Sequence, residues 1–122
     1  MHEKIARIDK AMLGYEDHGI LTAMLTVDYG GSGQGVGGYV LDRFDRDTAR
    51  RRGAEFGMEW IVRCMRACGV TEWSQIVGRT IFVLRESEDY NARVVGIRPL
   101  PFEDGEEFIF ADLAREFEET NA

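Results

Sequence analysis

The chain has 122 residues, a formal net charge of −7 and 44% hydrophobic residues. This length supports one domain, residues 1–122, with a real hydrophobic core, and the composition excludes a disordered or low-complexity chain. The acidic balance argues against direct nucleic-acid binding, because phosphate backbones favour clustered Lys and Arg. The acidic charge fits a protein that is simply kept soluble by it, or one that mimics nucleic acid and binds a basic partner.

The N-terminal residues and the hydropathy of the chain indicate a compartment. Met1-His2-Glu3-Lys4 lacks the apolar core of a signal peptide. No apolar run approaches the roughly 18 residues of a membrane span. We therefore expect a cytoplasmic protein with no membrane association.

The first third of the sequence predicts three strands. Residues 4–13 mix apolar and charged side chains as a strand does, and residues 14–19 form a polar turn with Gly at both ends. Residues 20–29 alternate between apolar and polar side chains, which indicates a half-buried strand. A short Gly-rich connection then leads to a strand over residues 34–42, so the two strands form a hairpin.

Residues 28–39 read Asp-Tyr-Gly-Gly-Ser-Gly-Gln-Gly-Val-Gly-Gly-Tyr and hold six of the fourteen glycines. Glycine reaches positive φ freely and allows close approach to the backbone, so the segment predicts a tight turn, a bulged strand or amides aimed at a ligand. Residues 33–38 match the letters of a dinucleotide-binding fingerprint. A strand pattern follows them instead of a helix, which excludes that site.

A helix follows, with its N-cap predicted at Asp47 or Thr48 and its end before Gly69. Its apolar stripe includes Gly53 and Gly57, which predicts close packing of the helix onto a sheet. Residues 50–52 are three arginines near its start, where they oppose the helix dipole. They bind a phosphate or an acidic partner, or they pair with neighbouring carboxylates.

The rest of the chain predicts a short helical turn over residues 71–78, strands over 79–85 and 91–100, and an acidic helix over about 106–119 capped by Asp104. The element order predicts an α+β fold. A mainly antiparallel sheet from two hairpin groups packs on one central helix, and a C-terminal helix follows.

No catalytic constellation stands out in the sequence. His18 lies in a turn beside acidic residues, and no Ser sits in a nucleophile elbow. Cys64 and Cys68 lie one helical turn apart and are expected to be reduced and buried. The acidic connection around residues 42–47 lacks the Gly and terminal Glu of a calcium loop. We therefore expect no enzyme activity, no metal and no cofactor.

The candidate site is a binding rim built on the Gly-rich hairpin with arginines from the second hairpin. An Arg93 that faces inward beside Phe82 or Tyr90 would suit an anionic, aromatic ligand. The alternative is that the hairpin is only a bulged connection. The candidate ligand-binding residues are Asp28, Tyr29, Gly30, Gly31, Ser32, Gly33, Gln34, Gly35, Tyr39, Arg93 and Arg98.

Three segments together carry a resemblance: Leu-Gly-Tyr-Glu-Asp-His-Gly-Ile at residues 13–20, the Gly-rich motif at 28–39, and Gly-Met-Glu-Trp at 57–60. Over residues 4–100 the chain resembles a family of small proteins of phages and prophages, most of them without an assigned function. Proteins of this size and origin include anti-defence factors, such as the Thoeris anti-defence sponges for cyclic immune nucleotides, and anti-CRISPR proteins.

The resemblance implies a phage-encoded anti-defence protein, acting in the host cytoplasm, that sequesters a small anionic, cyclic-nucleotide-type signal without catalysis. We expect it to be a homo-oligomer. The alternatives are an acidic protein–protein inhibitor of a host nucleic-acid enzyme, and a phage accessory protein of unknown role. No binding residue follows from the resemblance.

Overall fold

A mixed α+β architecture is seen in a computed structural model, which describes residues 1–16 and 18–121, with side chains through residue 118. Asp17, in the predicted turn at 14–19, lies outside the described residues. The strands are β1 (His2–Tyr15), β2 (Leu21–Asp28), β3 (Gly33–Val40), β4 (Asp42–Asp45), β5 (Arg50–Gly53), β6 (Thr80–Arg85), β7 (Val94–Arg98) and β8 (Phe108–Ile109), and the helices are α1 (Glu55–Cys68) and α2 (Phe110–Asn121).

The main sheet has six strands in the order β3-β2-β1-β6-β7-β8, and every neighbouring pair is antiparallel. This confirms the predicted fold class of a mainly antiparallel sheet with a central and a C-terminal helix. A single 3₁₀ turn at Trp73–Gln75 occupies the predicted short helical segment.

The predicted start of the central helix is wrong, because residues 42–53 form a second, two-stranded sheet of β4 and β5. The backbone N–H of Asp47 donates to the carboxylate of Asp45 at 2.9 Å, and Ala49 adopts a left-handed φ of 56°. A local side-chain acceptor of this kind favours a turn over a helix. The helix begins only after Ala54, and the arginines at 50–52 lie on β5 rather than at a helix end.

Arg51 and Asp42 hold this small hairpin to the main sheet. Nη2 of Arg51 donates to Oδ1 of Asp42 at 2.7 Å, and the backbone N–H of Leu21 donates to Oδ2 at 3.2 Å. The hydrogen bond from Arg51 is the main cause that lowers the pKa of the Asp42 carboxyl. The arginine therefore pairs with a local carboxylate, which was one of the two alternatives left open by the sequence.

Helix α1 ends as predicted at Gly69, whose φ is 69° and whose N–H donates to the carbonyl of Arg66. The helix approaches the chain at Leu41 so closely that a Cβ on Gly57 would stand 1.9 Å from the Leu41 carbonyl oxygen. The expected close packing is therefore confirmed at Gly57. Gly53 lies on β5 and is exposed, so the expectation for that glycine is wrong.

The two edges of the main sheet come together around α1. The ring of Tyr39 on β3 lies 5.5 Å from the ring of Phe110, which follows β8, and both rings contact Trp60. Trp60 is 1% exposed and lies among Phe108 and the apolar side chains of the sheet. The sheet is thus strongly curved, with the helix on its concave side.

The predicted bulge in the Gly-rich strand is confirmed. The register of β2 and β3 shifts after Ala23, and Gly37 and Gly38 have φ values of 107° and 81°. A Cβ on Gly37 would stand 2.9 Å from the carbonyl oxygen of Ala23 and 3.2 Å from the Trp60 ring. At this position glycine is required both by the backbone and by the tryptophan.

The C-terminal helix begins at Phe110, later than the predicted 106, and Asp104 does not cap it. The side chains of Phe108 and Phe110 are both buried and their rings lie 4.9 Å apart, so burial of alternate aromatic residues favours a short strand before the helix. Cys64 and Cys68 are free and buried, as predicted. Their mutual hydrogen bond and burial raise the pKa of the Cys64 thiol.

We expect Gly57→Ala to lower the free energy of unfolding by about 3 kcal/mol, because the added methyl group forces α1 away from Leu41. Gly53→Ala is the matched control. A Cβ at Gly53 meets nothing within 4 Å, so the change should stay within about 0.5 kcal/mol. Urea denaturation of both variants measures the difference. Equal stability of the two variants would contradict the close contact.

We expect Asp42→Asn to destabilise the protein at neutral pH and to matter little in acid. The folded-state pKa of Asp42 is lowered from its ordinary value of 3.8. Its contribution is therefore present above pH 3.8 and is lost as the pH falls through the folded-state pKa. Thermal melts between pH 7 and about pH 3 should show the wild-type advantage shrinking. A difference that is constant over this range would exclude a role for the ionised carboxylate.

Candidate functional site

Two cavities lie side by side where the β2–β3 hairpin meets the loop between β6 and β7. The first, the Arg85 cavity, has a volume of about 320 Å³ and the second, the edge cavity, about 410 Å³. The Arg85 cavity is lined by Lys4, Tyr29, Ser32, Gly33, Gln34, Arg85, Glu88 and Tyr90. The edge cavity is lined by Gln34, Gly35, Gly37, Gly38, Tyr39, Arg93, Val94 and Phe110.

Strand alternation places two cations on the apolar face of the sheet. Lys4 pairs with Val83 across β1 and β6, and Arg85 follows Val83 by two residues, so both share the face of the core. They lie at the end of that face, beside Tyr29. The Nζ atom of Lys4 is 4.7 Å from the centre of the Tyr29 ring, and the guanidinium of Arg85 is 5.7 Å from it.

Tyr29 and Gln34 form a chain of hydrogen bonds across the site. The Tyr29 hydroxyl donates to Oε1 of Gln34 at 2.6 Å, and Nε2 of Gln34 donates to the carbonyl of Ala92 at 3.1 Å. Burial raises the pKa of Tyr29, although the charge of Arg85 opposes this effect. The phenol therefore stays protonated at neutral pH and fixes the orientation of the Gln34 amide, which joins the two hairpins.

Arg85 is the central feature of the first cavity. It is 3% exposed, and its Nη2 donates to the carbonyls of Asp89 and Tyr90 at 2.6 and 3.1 Å. Its Nε atom is buried and finds no hydrogen-bond partner in the described part of the chain. Among residues 1–16 and 18–118 no carboxylate forms an ion pair with it, and Glu88, on the cavity wall, lies 3.7 Å from His2 instead. Burying a cation without an anion lowers the stability of the fold, and a bound anion would offset that loss of free energy.

The structure divides the predicted site residues into three groups. Tyr29, Ser32, Gly33 and Gln34 line the Arg85 cavity, whereas Gln34, Gly35, Tyr39 and Arg93 line the edge cavity. Asp28, Gly30, Gly31 and Arg98 line neither.

The residues outside both cavities have structural surroundings of their own. The carboxylate of Asp28 accepts a hydrogen bond from the N–H of Gly30 at 2.8 Å, which shapes the hairpin turn. Arg98 pairs with Glu3 and lies 5.0 Å from the Phe82 ring centre. The arginine beside Phe82 is thus Arg98, whereas Arg93 is exposed and precedes β7.

Sequence reasoning missed Lys4 and Arg85. The signal for Arg85 is the alternation of Ile81, Val83 and Arg85, which places a charged residue in register with two core positions. Lys4 stands in the same relation to Ala6 and Ile8. An arginine that continues the two-residue spacing of buried apolar residues along a strand is expected to point toward the core.

Comparisons with known proteins found no match among protein-family models, curated proteins or solved structures. Neither helix in the described part of the chain has an apolar stretch long enough to cross a bilayer. Among the same residues, no three His, Cys, Asp or Glu side chains are grouped as metal ligands.

We expect Arg85→Met to leave the free energy of unfolding unchanged or to raise it by up to about 2 kcal/mol, because methionine removes a buried unpaired charge. The carbonyls it releases belong to Asp89 and Tyr90, which are exposed and can bind water. Urea denaturation tests this. A loss above about 2 kcal/mol would mean that the cation serves folding rather than a ligand.

Proposed function

We propose that this protein binds a small anionic ligand of nucleotide type and sequesters it without chemical change, as a phage-encoded anti-defence protein. The observation that carries the proposal is Arg85, a buried cation that lines a cavity and that has, among the residues the structure describes, neither a carboxylate partner nor a hydrogen bond to its Nε. Arginine binds phosphate, like carboxylate, through short charge-assisted hydrogen bonds that match the fork of its guanidinium group.

Most other groups of the Arg85 cavity suit the same ligand; the exception is the carboxylate of Glu88, which lies 3.7 Å from His2. Lys4 adds a second positive charge, Ser32 and Gln34 add hydrogen-bonding groups, and the rings of Tyr29 and Tyr90 offer apolar surface for a sugar or a base. All of these groups can bind, and sequestration requires affinity alone. The resemblance to small phage proteins supports the anti-defence role, and assembly as a homo-oligomer in the host cytoplasm is part of the proposal.

A second candidate function is an acidic inhibitor of a host nucleic-acid enzyme. It is favoured by the exposed run at residues 103–107, which carries four acidic side chains in five positions. This candidate predicts a stoichiometric complex with a basic protein that weakens steeply with salt. Pull-downs from host lysate at low and high salt test for it.

We expect isothermal titration calorimetry to detect binding of at least one member of a panel of cyclic dinucleotides, cyclic trinucleotides and cyclic ADP-ribose isomers. Lys4→Gln and Arg85→Met should each weaken that binding by about tenfold or more, because each removes a cation from the cavity. Arg98→Ala is the matched control, since it removes one positive charge outside both cavities.

Two results would contradict the proposal. The first is the absence of heat with every member of the panel. The second is binding that Arg98→Ala weakens as much as Arg85→Met does. Native mass spectrometry of protein purified from infected cells adds the subunit number and the mass of any small molecule that it carries.

A further inference from the structure

The edge cavity is bordered by two strand edges that have no neighbour on that side. β3 is the edge of the sheet and pairs only with β2, so alternate N–H and C=O groups point away from the ladder. On the opposite wall, β7 pairs with β8 only at Gly96 and Ile97, which leaves Val94 without a neighbour on that side. Within the described residues, no other hydrogen bond involves the backbone of Gly35, Gly37, Gly38 or Val94.

Two contacts bridge the walls of this cavity, one near each end. At one end Nε2 of Gln34 donates to the carbonyl of Ala92, and at the other the rings of Tyr39 and Phe110 lie 5.5 Å apart. An extended peptide could not pass between the two edges without breaking one of these contacts. The volume of about 410 Å³ is within the range of small-molecule sites.

The wall formed by β3 presents backbone in place of side chains. The bulge requires glycine at positions 37 and 38, where φ is positive, and Trp60 adds a second requirement at Gly37, but neither reason applies to Gly35. Its φ is not in the left-handed region, and a Cβ there would meet only the flexible side chain of Met24, at 3.1 Å. A ligand that lies flat against the strand gives a reason for a bare backbone at this position.

We propose that the edge cavity receives the base of the ligand. Its heterocyclic edge pairs with the free backbone groups of β3 and Val94, while the phosphate lies at Arg85. Gln34 lines both cavities and is the point over which the ligand passes. Arg93, on the cavity wall, provides a planar cation that stacks on the ring. This inference rests on the proposed function and narrows the ligand to a phosphorylated nucleoside.

The test compares inorganic pyrophosphate, which has no base, with ADP and GDP on the wild type and three variants. Val94→Phe fills the edge cavity. Val95→Phe, at the next residue of the same strand, which lines neither cavity, is its matched control. Arg93→Ala removes the stacking cation from an exposed position and is not expected to affect folding.

We expect the wild type to bind at least one of the two nucleotides about tenfold or more tightly than pyrophosphate, because base stacking and pairing add to the phosphate contact. Val94→Phe should remove that advantage and leave pyrophosphate binding within about twofold. Arg93→Ala should reduce the advantage, and Val95→Phe should leave it intact. In NMR spectra of the wild type, the amide signals of Gly35, Gly37 and Gly38 should shift with nucleotide and not with pyrophosphate.

Equal affinity for pyrophosphate and both nucleotides, with no shift of the glycine amide signals, would overturn the proposal that the base binds in the edge cavity. It would not contradict an anion site at Arg85. No binding of any probe would count against the anion site and the base site together. If Val94→Phe fails to fold, the amide shifts of the wild type and the titration of Arg93→Ala decide whether the base binds in the edge cavity.

Discussion

The rest of the structure depends on the close packing of α1 against the main sheet and against the chain at Leu41. Trp60 can pack against the concave face of the sheet only because Gly37 has no side chain; a Cβ there would stand 3.2 Å from the Trp60 ring. The helix can approach Leu41 only because Gly57 has no side chain on that side. Buried interiors are packed at near-crystalline density, so even one methyl group in these places displaces an element. Two glycines in separate segments therefore set the distance between helix and sheet.

The cavities are a consequence of that packing. Because the sheet curves around Trp60 and its aromatic neighbours, the outer strand β3 approaches the part of β7 that β8 does not cover, and a cleft is left between them. The contact between Tyr39 and Phe110 and the bridge from Gln34 to Ala92 hold that cleft at a fixed width. A flatter sheet with the same residues would place Arg93 far from the Gly-rich strand.

Arg85 places a positive charge on a strand face that is otherwise apolar. Its neighbours along the strand face, Ile81 and Val83, are apolar and buried, whereas Arg85 donates hydrogen bonds to two backbone carbonyls of the loop between β6 and β7. Sequences that agree with their fold at almost every position depart from it mainly at functional sites. The cation at the end of the core, with Lys4 beside the same Tyr29 ring, departs from the apolar pattern, and the proposed anion site rests on this departure.

The sequence by itself determined the fold class, the bulge in the Gly-rich strand, the end of α1 at Gly69 and the burial of the two cysteines. Each of these depends on a local rule: residue periodicity, the φ range of glycine or the stop signal of a helix. The β4–β5 hairpin was not predictable in this way, since a single contact from the Asp47 N–H to Asp45 decides between a turn and a helix cap. Tertiary structure alone decided which candidates meet. It placed Tyr29 and Gln34 beside Lys4 and Arg85, placed Arg93 on the neighbouring cavity, and left Asp28 and Arg98 outside both. The physical reason is that sheet curvature and strand order arise from packing between distant segments, which no local pattern records.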